Sequence, residues 1–229
     1  MAAERIVTVI PALNEERTIE SVARGALSHG DVIVVDDGST DRTSELAARA
    51  GARVIRHERN LGKGAALKTG IREALRGSYD VIVFMDADGQ HDPSLIPDLA
   101  SAINGGDFVI GSRFIERNHH TMPVQRRLSN RLTTWILRFA TGYSITDSQS
   151  GFRAISSRYA HLILDLPYDD YVYESEAICE TSRHRLRIAE VPITCCYGDE
   201  KSYIGLGDVI QYIKFIIKLF LRRFNPGRG

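Results

Sequence analysis

Val81-Ile82-Val83-Phe84-Met85-Asp86-Ala87-Asp88-Gly89-Gln90 decides how this chain is read. Its first five residues are an unbroken apolar run. A run of that length bounded by a polar turn reads as a strand buried on both faces, as in a parallel sheet. Two carboxylates one residue apart, Asp86 and Asp88, then leave the carboxyl end of that strand together. Open α/β sheets bind ligands at that edge. Paired acids repel each other unless a positive group lies between them. A divalent cation holding a diphosphate meets that need, because hard cations take oxygen ligands and share them with phosphates. A capped polar turn accounts for Asp92-Pro93, which read as N-cap and N1 of a following helix. It does not account for Asp86 and Asp88.

Working outward, residues 5 to 111 alternate strand and helix. Strands are expected at Ile6–Ile10, Val32–Val35, Arg53–Arg56 and Val109–Ile110. Helices are expected at Glu15–Leu27 with Asn14 as N-cap, at Asp41–Ala50 with Ser39 or Thr40 as cap and Gly51 as stop, at Gly64–Leu75, and from about Ser94 to Ile103. This order implies a mainly parallel sheet with right-handed crossovers, flanked by helices. Beyond it, residues 114–123 read as a polar loop whose His119-His120 has no acidic or cysteine partner nearby and is taken as solvated. Val124–Thr141 is a basic helix. Strands follow at Gly151–Ile155 and Ile188–Ile193, with helices near 157–164 and 172–184 between them.

The chain has 229 residues, 43% of them apolar and 25% charged, with a formal net charge of zero. Length and composition suit one large domain or one domain with an appendage, and give no sign of nucleic acid. Cys179, Cys195 and Cys196 match neither a zinc spacing nor an even disulfide set, and fit a reducing compartment. The N-terminus is too poor in apolar residues for a signal peptide, and no stretch has the roughly 18 uninterrupted apolar residues of a spanning helix. A cytoplasmic location is expected, with peripheral contact at the cytoplasmic face of a membrane. The contact is assigned to residues 207–229, beyond a body spanning 1–206. There, Gln211, Lys214, Lys218 and Arg222 form a narrow cationic stripe on an otherwise apolar helix, the pattern of a helix lying in a membrane interface. The competing reading packs that helix onto the domain.

Three further loops converge on the edge that carries Asp86. Pro11-Ala12-Leu13-Asn14-Glu15 ends the first strand, Asp36-Asp37-Gly38-Ser39 ends the second, and Asn60-Leu61-Gly62-Lys63-Gly64 opens a helix whose N-terminus suits an anion. Together with Gly111-Ser112-Arg113 and Ser150-Gly151-Phe152-Arg153, in that order, these segments resemble the inverting family 2 glycosyltransferases with the GT-A fold. Within them, the similarity is to the dolichyl- or polyprenyl-phosphate hexose synthases.

The resemblance implies roles by position. Pro11, Leu13 and Glu15 would line the nucleoside pocket, and Asp36 would accept from base or ribose. Lys63 would sit near the donor. Asp86, Asp88 and Gln90, with Ala87 between the acids, would meet Mg²⁺ or Mn²⁺ and the diphosphate of GDP-mannose or UDP-glucose. Arg113 and Arg126 would hold the phosphate of a polyprenyl acceptor, and Lys201 would approach the phosphates from a loop. Asp88, Arg113 and Arg126 are thus the expected catalytic residues. The chain departs from the family pattern one turn after Arg126, where a hydroxyl residue is common and Asn130 stands, with Ser129 beside it.

Elementary chemistry points the same way. A sugar hydroxyl must lose a proton to attack, so its enzyme needs a positioned base. A phosphate monoester is already largely dianionic near neutral pH, with a second pKa of about 6. It needs cations to hold it, and the run Arg113, Arg117, Arg126, Arg127, Arg131 supplies them. A saccharide acceptor, with Glu174 or Glu176 as base, is the rival within the same fold. A receiver-type signalling domain is the rival outside it, but it needs its acid pair after the first strand, whereas Asp36-Asp37 follows the second.

Overall fold

The computed structural model describes residues 4–115, 122–195 and 206–224. Seven strands form one sheet: β1 (Ile6–Ala12), β2 (Asp31–Asp36), β3 (Arg53–Arg56), β4 (Val81–Phe84), β5 (Phe108–Ser112), β6 (Arg153–Ser156) and β7 (Ile188–Pro192). Their order is β3-β2-β1-β4-β6-β5-β7. β1, β2, β3 and β4 are parallel, and so are β5 and β7. β6 runs antiparallel between β4 and β5. The sheet is therefore mainly parallel but mixed. The four residues of β6, Arg153-Ala154-Ile155-Ser156, carry no signal of direction, so the reversal leaves no mark in its sequence.

The helices are α1 (Ile19–Leu27), α2 (Thr43–Ala50), α3 (Lys63–Arg76), α4 (Ile96–Ala102), α5 (Val124–Thr141), α6 (Ser157–Ile163), α7 (Val172–Arg183) and α8 (Leu206–Phe224). A 3-10 turn at Pro93–Leu95 precedes α4, and the Asp92 carboxylate caps it by accepting from the Ser94 N–H at 2.9 Å. α2 stops at Gly51, whose φ of +103° is a left-handed conformation that favours glycine.

The starts of α1 and α2 differ from expectation by more than their ends. α1 begins at Ile19 rather than Glu15, and α2 at Thr43 rather than Asp41. The side chains expected to cap them bind each other's loops instead. Asn14, at φ +56°, accepts from the Thr40 N–H at 2.8 Å, and its own N–H donates to Ser39 Oγ at 2.9 Å. The Glu15 N–H donates to Thr43 Oγ1 at 2.8 Å. The exits of β1 and β2 are thereby stitched into one surface.

Each face of the sheet has its own core. Val7, Val9, Phe84 and Phe108 pack with Leu67, Tyr159, Tyr173 and Ile178 on one side. Ile10, Val34, Val83 and Met85 pack with Ile19, Val22, Leu46 and Ile96 on the other. α8 belongs to the first core. Phe215 and Leu219 are buried, Phe215 meets the Tyr168 ring edge-on at 5.7 Å, and Tyr212 Oη lies 3.3 Å from Ser175 Oγ. The inner side of this helix is part of the domain, as the packed reading expects.

Candidate functional site

The parallel register aligns the strand exits. Ala12 pairs with Asp36, and Val9 pairs with Phe84. The loops after β1, β2 and β4 therefore leave the sheet side by side, and the loop before α3 joins them.

Asp36 is fully buried. Its carboxylate accepts from the Ser39 N–H at 2.7 Å and from the Ser44 hydroxyl, with Arg56 Nε 3.7 Å away. In this arrangement it fixes the turn after β2. Asp37 reaches the Asn60–Gly64 loop. It accepts from the N–H groups of Leu61 at 2.9 Å and Gly62 at 2.8 Å, and pairs with His57 Nδ1 at 2.7 Å. The loop at the head of α3 does receive an anion, as its glycines suggest. That anion is the chain's own Asp37. Gly62, at φ +103°, lets the loop pass so close to α7 that a Cβ there would lie 2.3 Å from the Asp169 carbonyl oxygen.

Held in this way, Lys63 points into the edge. Its ammonium lies 2.7 Å from Asp86 Oδ1 and 3.0 Å from Glu174 Oε2. Burial alone would depress its pKa. Asp86, and after it Glu174, outweigh that and raise it well above the ordinary lysine value. Burial would likewise raise Asp86, but Lys63 first and then His91 hold it well below the usual carboxylate range. Asp86 is thus held as its carboxylate form by these neighbours. His91 Nε2 stands 3.8 Å from Asp86 Oδ2, and Nδ1 is 3.4 Å from Cys195 Sγ. The ring lies against Phe152, with centroids 5.1 Å apart. An antiparallel bridge between His91 and Cys195 ties the turn after β4 to the chain leaving β7.

Gly151 faces Asp86 from the segment leading into β6. A Cβ at Gly151 would lie 2.2 Å from Asp86 Oδ2 and 2.6 Å from its Cγ, so the carboxylate occupies the space that any other residue would fill. Asp88 Oδ1 accepts from the Gln90 N–H at 3.0 Å, across Gly89 at φ +76°. Among the described residues no three His, Cys, Asp or Glu side chains converge on one point. One turn nonetheless carries three hard oxygen donors, on Asp86, Asp88 and the Gln90 amide. Two carboxylates are a normal protein share where a substrate diphosphate supplies further ligands.

At the end of β5, Arg113 makes a two-pronged ion pair with buried Asp147, Nε to Oδ2 at 2.7 Å and Nη2 to Oδ1 at 2.9 Å. Glu190 of β7 accepts from the Thr146 N–H at 2.7 Å and the Asp147 N–H at 3.2 Å, fixing that segment. α5 is fastened to it as well, since the Ser148 N–H donates to Thr134 Oγ1 at 3.1 Å. Asn130, Thr134 and Leu137 are the buried residues of α5, and half-buried Arg126 and Arg127 continue their face one turn earlier. A pocket of about 350 Å³ opens beside this helix, lined by Phe114, Arg131, Thr134, Trp135, Arg138 and Thr146.

Pro11, Leu13 and Glu15 are half-buried along the β1 exit. Lys63 and Asp86 are brought into contact, and Ala87, Asp88 and Gln90 follow in the same turn. Arg113 and Arg126 belong to the β5–α5 end. Lys201, Arg117, His119, His120 and Cys196 lie outside the described residues. Sequence reasoning missed the roles of Gly151, Asp147 and Asp37. It considered Glu174 as a base, whereas the structure makes it the second anion around Lys63.

The family model described as Glycosyl transferase family 2 matches residues 8–162. The chain belongs to this family. As a family 2 glycosyltransferase it is 31% identical to the UDP-N-acetylglucosamine–dolichyl-phosphate N-acetylglucosaminyltransferase of Methanococcus voltae, over 97% of this chain and 98% of that one. It is 34% identical to the undecaprenyl-phosphate mannosyltransferase of Micrococcus luteus, over 83% of each. Among solved structures, glucosyl-3-phosphoglycerate synthase from Mycobacterium tuberculosis, in complex with Mn²⁺, UDP and glucosyl-3-phosphoglycerate, superimposes with a TM-score of 0.71. It shares 28% identity, over 97% of this chain and 80% of that one. The GT-A fold of this glycosyltransferase accounts for the edge just described, at which the loops of β1, β2 and β4 converge.

Proposed function

We propose that this glycosyltransferase moves a sugar from a nucleoside diphosphate donor to the phosphate of a polyprenyl or dolichyl lipid, with inversion at the anomeric carbon. The observation that carries this reading is the pairing of the acidic side chains. Both candidate bases are engaged: Glu174 with Lys63 at 3.0 Å, and buried Glu176 with Arg183 at 2.9 Å. A phosphate acceptor needs neither, because it arrives deprotonated. One acceptor oxygen bonds to the anomeric carbon as the bond from that carbon to the diphosphate breaks. The electron pair leaves with the nucleoside diphosphate, and no proton has to move.

The donor end is assigned to Pro11, Leu13, Glu15, Asp86, Ala87, Asp88, Gln90, Lys63 and Lys201, with Asp36 holding the turn beside the nucleoside. Asp86, Asp88 and Gln90 fit Mg²⁺ or Mn²⁺, which when bound would stabilise the charge growing on the leaving diphosphate. Lys63 adds a fixed cation there. Because the Arg113–Asp147 pair carries no net charge, Arg126 and Arg127 are assigned the acceptor dianion, with Arg113 orienting it. The names of the relatives support a lipid phosphate acceptor with N-acetylglucosamine or mannose as the donor sugar, and the glucosyl product of the solved structure adds glucose. The catalytic body is assigned to residues 1–206, completed by the inner side of α8, and a lipid acceptor accords with peripheral contact at the cytoplasmic face of a membrane through residues 207–229.

Incubation with labelled GDP-mannose, UDP-glucose and UDP-N-acetylglucosamine plus polyprenyl phosphate, followed by organic extraction, tests the reading. One donor should give an extractable, Mn²⁺- or Mg²⁺-dependent product. Asp88→Asn should abolish most of it, and Glu174→Gln should keep turnover within about tenfold, against the 10² to 10⁴ expected for a lost base. Label that stays in water-soluble saccharide, together with an inactive but folded Glu174→Gln, would put the saccharide-acceptor rival in its place.

A further inference from the structure

Most long amphipathic helices on a domain turn their apolar side inward. α5 has a second apolar side turned outward. Val124, Leu128, Leu132 and Trp135 are each about 60% exposed (59, 61, 59 and 62%), and Phe139 is 45% exposed. Their spacing of four, four, three and four residues makes one stripe along the helix. α8 repeats the pattern. While Phe215 and Leu219 are buried, Ile210, Ile213, Ile217 and Leu221 face out at spacings of three, four and four.

The two stripes meet. Phe139 of α5 lies 5.9 Å, ring to ring, from Phe220 of α8, and Trp135 stacks on Phe139 at 6.2 Å. Soluble proteins rarely expose a continuous apolar surface of this extent without a partner.

The charges around the surface identify the partner. α5 carries Arg126, Arg127, Arg131 and Arg138 and no acid in its eighteen residues. On α8, Lys214 and Lys218 are exposed beside the isoleucines. A second copy of this chain would bring the same cations against these and be repelled. An anionic lipid leaflet supplies the opposite charge around an apolar interior. A lone tryptophan beside that rim also suits the headgroup boundary, where an amphipathic ring is at home.

We propose that the outward faces of α5 and α8 form one membrane-docking surface for an anionic bilayer, the two helices lying in the interface with their cations at headgroup level. This rests on the lipid-phosphate reading and extends it, because the helix assigned to the acceptor phosphate is itself half of the surface. The surface also explains how a chain in which no described helix can cross a membrane reaches a lipid substrate. Docking through residues 207–229 alone is thereby replaced with docking through two helices.

Trp135, the only tryptophan in the chain, is a built-in reporter. Vesicles of phosphatidylcholine with phosphatidylglycerol, free of polyprenyl phosphate, should shift its emission to the blue, and brominated acyl chains should quench it. Leu128→Ser with Leu132→Ser, and separately Ile213→Ser with Ile217→Ser, should each weaken partitioning by at least about tenfold. Raising salt or removing phosphatidylglycerol should weaken it by about fivefold for each lysine or arginine no longer attracted to the leaflet.

Emission unchanged by vesicles would overturn the proposal in the wild type, whatever the variants do. So would sedimentation analysis showing a dimer that hides Trp135 in buffer. Binding abolished in the Ile213/Ile217 pair but intact in the Leu128/Leu132 pair would return the docking to α8 alone. Transfer to a short, water-soluble prenyl phosphate without vesicles reports on the acceptor separately, so failure of docking and failure of the lipid-phosphate reading are distinguishable.

Discussion

Gly151 shows how much one hydrogen atom in place of a side chain can decide. The Asp86 carboxylate fills the space where its Cβ would stand. Gly151→Ala should keep the fold, since the clash is with the end of a side chain, but turn Asp86 away from its present aim. Calorimetry with nucleoside diphosphate should then show the Mn²⁺-dependent part of binding reduced at least about tenfold, a loss of about 1.4 kcal/mol, with an unchanged circular dichroism spectrum. His91 carries a second expectation. Burial would lower its pKa, but Asp86 and then Cys195 raise it from 6.5 to about 9. The folded ligand-free protein therefore holds a proton that the unfolded chain releases earlier. The resulting stability is complete below about pH 6.5 and is lost as pH rises through about 9, at up to about 1.4 kcal/mol per pH unit. Denaturant unfolding across pH 6 to 10 should show this slope in the wild type and a flatter one in His91→Asn. Asp86, Asp88 and Gln90 were legible in the sequence because a single turn carries all three. Gly151, Asp147 and Glu174 were not, because sheet order and helix packing bring them in from distant parts of the chain.

α3 lies against β1 through Gly70. An added Cβ would stand 2.2 Å from Val9 Cγ1. Alanine is better than glycine in a helix by about 0.8 to 1 kcal/mol, whereas overpacking a tight core costs about 1 to 3 kcal/mol. The clash should win. Gly70→Ala should be destabilised by roughly 1 to 2 kcal/mol, and Val9→Ala should relieve it, making the double variant more stable than the sum of its singles. Urea unfolding of the four proteins measures this. The bounds of α5 were read to the residue, because its apolar period and the left-handed Gly142 after it agree. The starts of α1 and α2 were read too early, by four and two residues. Asn14, Ser39 and Thr40 are capping residue types, and a lone sequence cannot show that their hydrogen bonds cross between loops rather than closing their own helices. The wide apolar surface of α8 was legible; its division into a packed side and an open side depended on where Tyr168 and Ser175 stand.

With a core on each face of the sheet, the domain depends on α8 as one of its covering helices. Phe215→Ala should cost about 3 to 5 kcal/mol, the usual range for emptying a buried aromatic site, and lower the melting temperature of the entire chain in a single transition. A separate early transition would instead show α8 melting independently. The mainly parallel sheet and the edge at which its loops converge followed from the strand pattern. The reversed β6 did not, and its position has a consequence for the reaction. The turn with Asp86 leaves β4, the segment with Arg113 leaves β5, and β6 lies between them. Two inter-strand steps separate the exits by about 9 to 10 Å. The chain enters that gap through Gly151, which has no side chain to fill it. On the proposed reading β6 thus acts as a spacer gauge: the backbone itself holds the exit assigned to the diphosphate and the exit assigned to the acceptor phosphate about 9 to 10 Å apart, with room for the anomeric carbon between them, before any substrate binds.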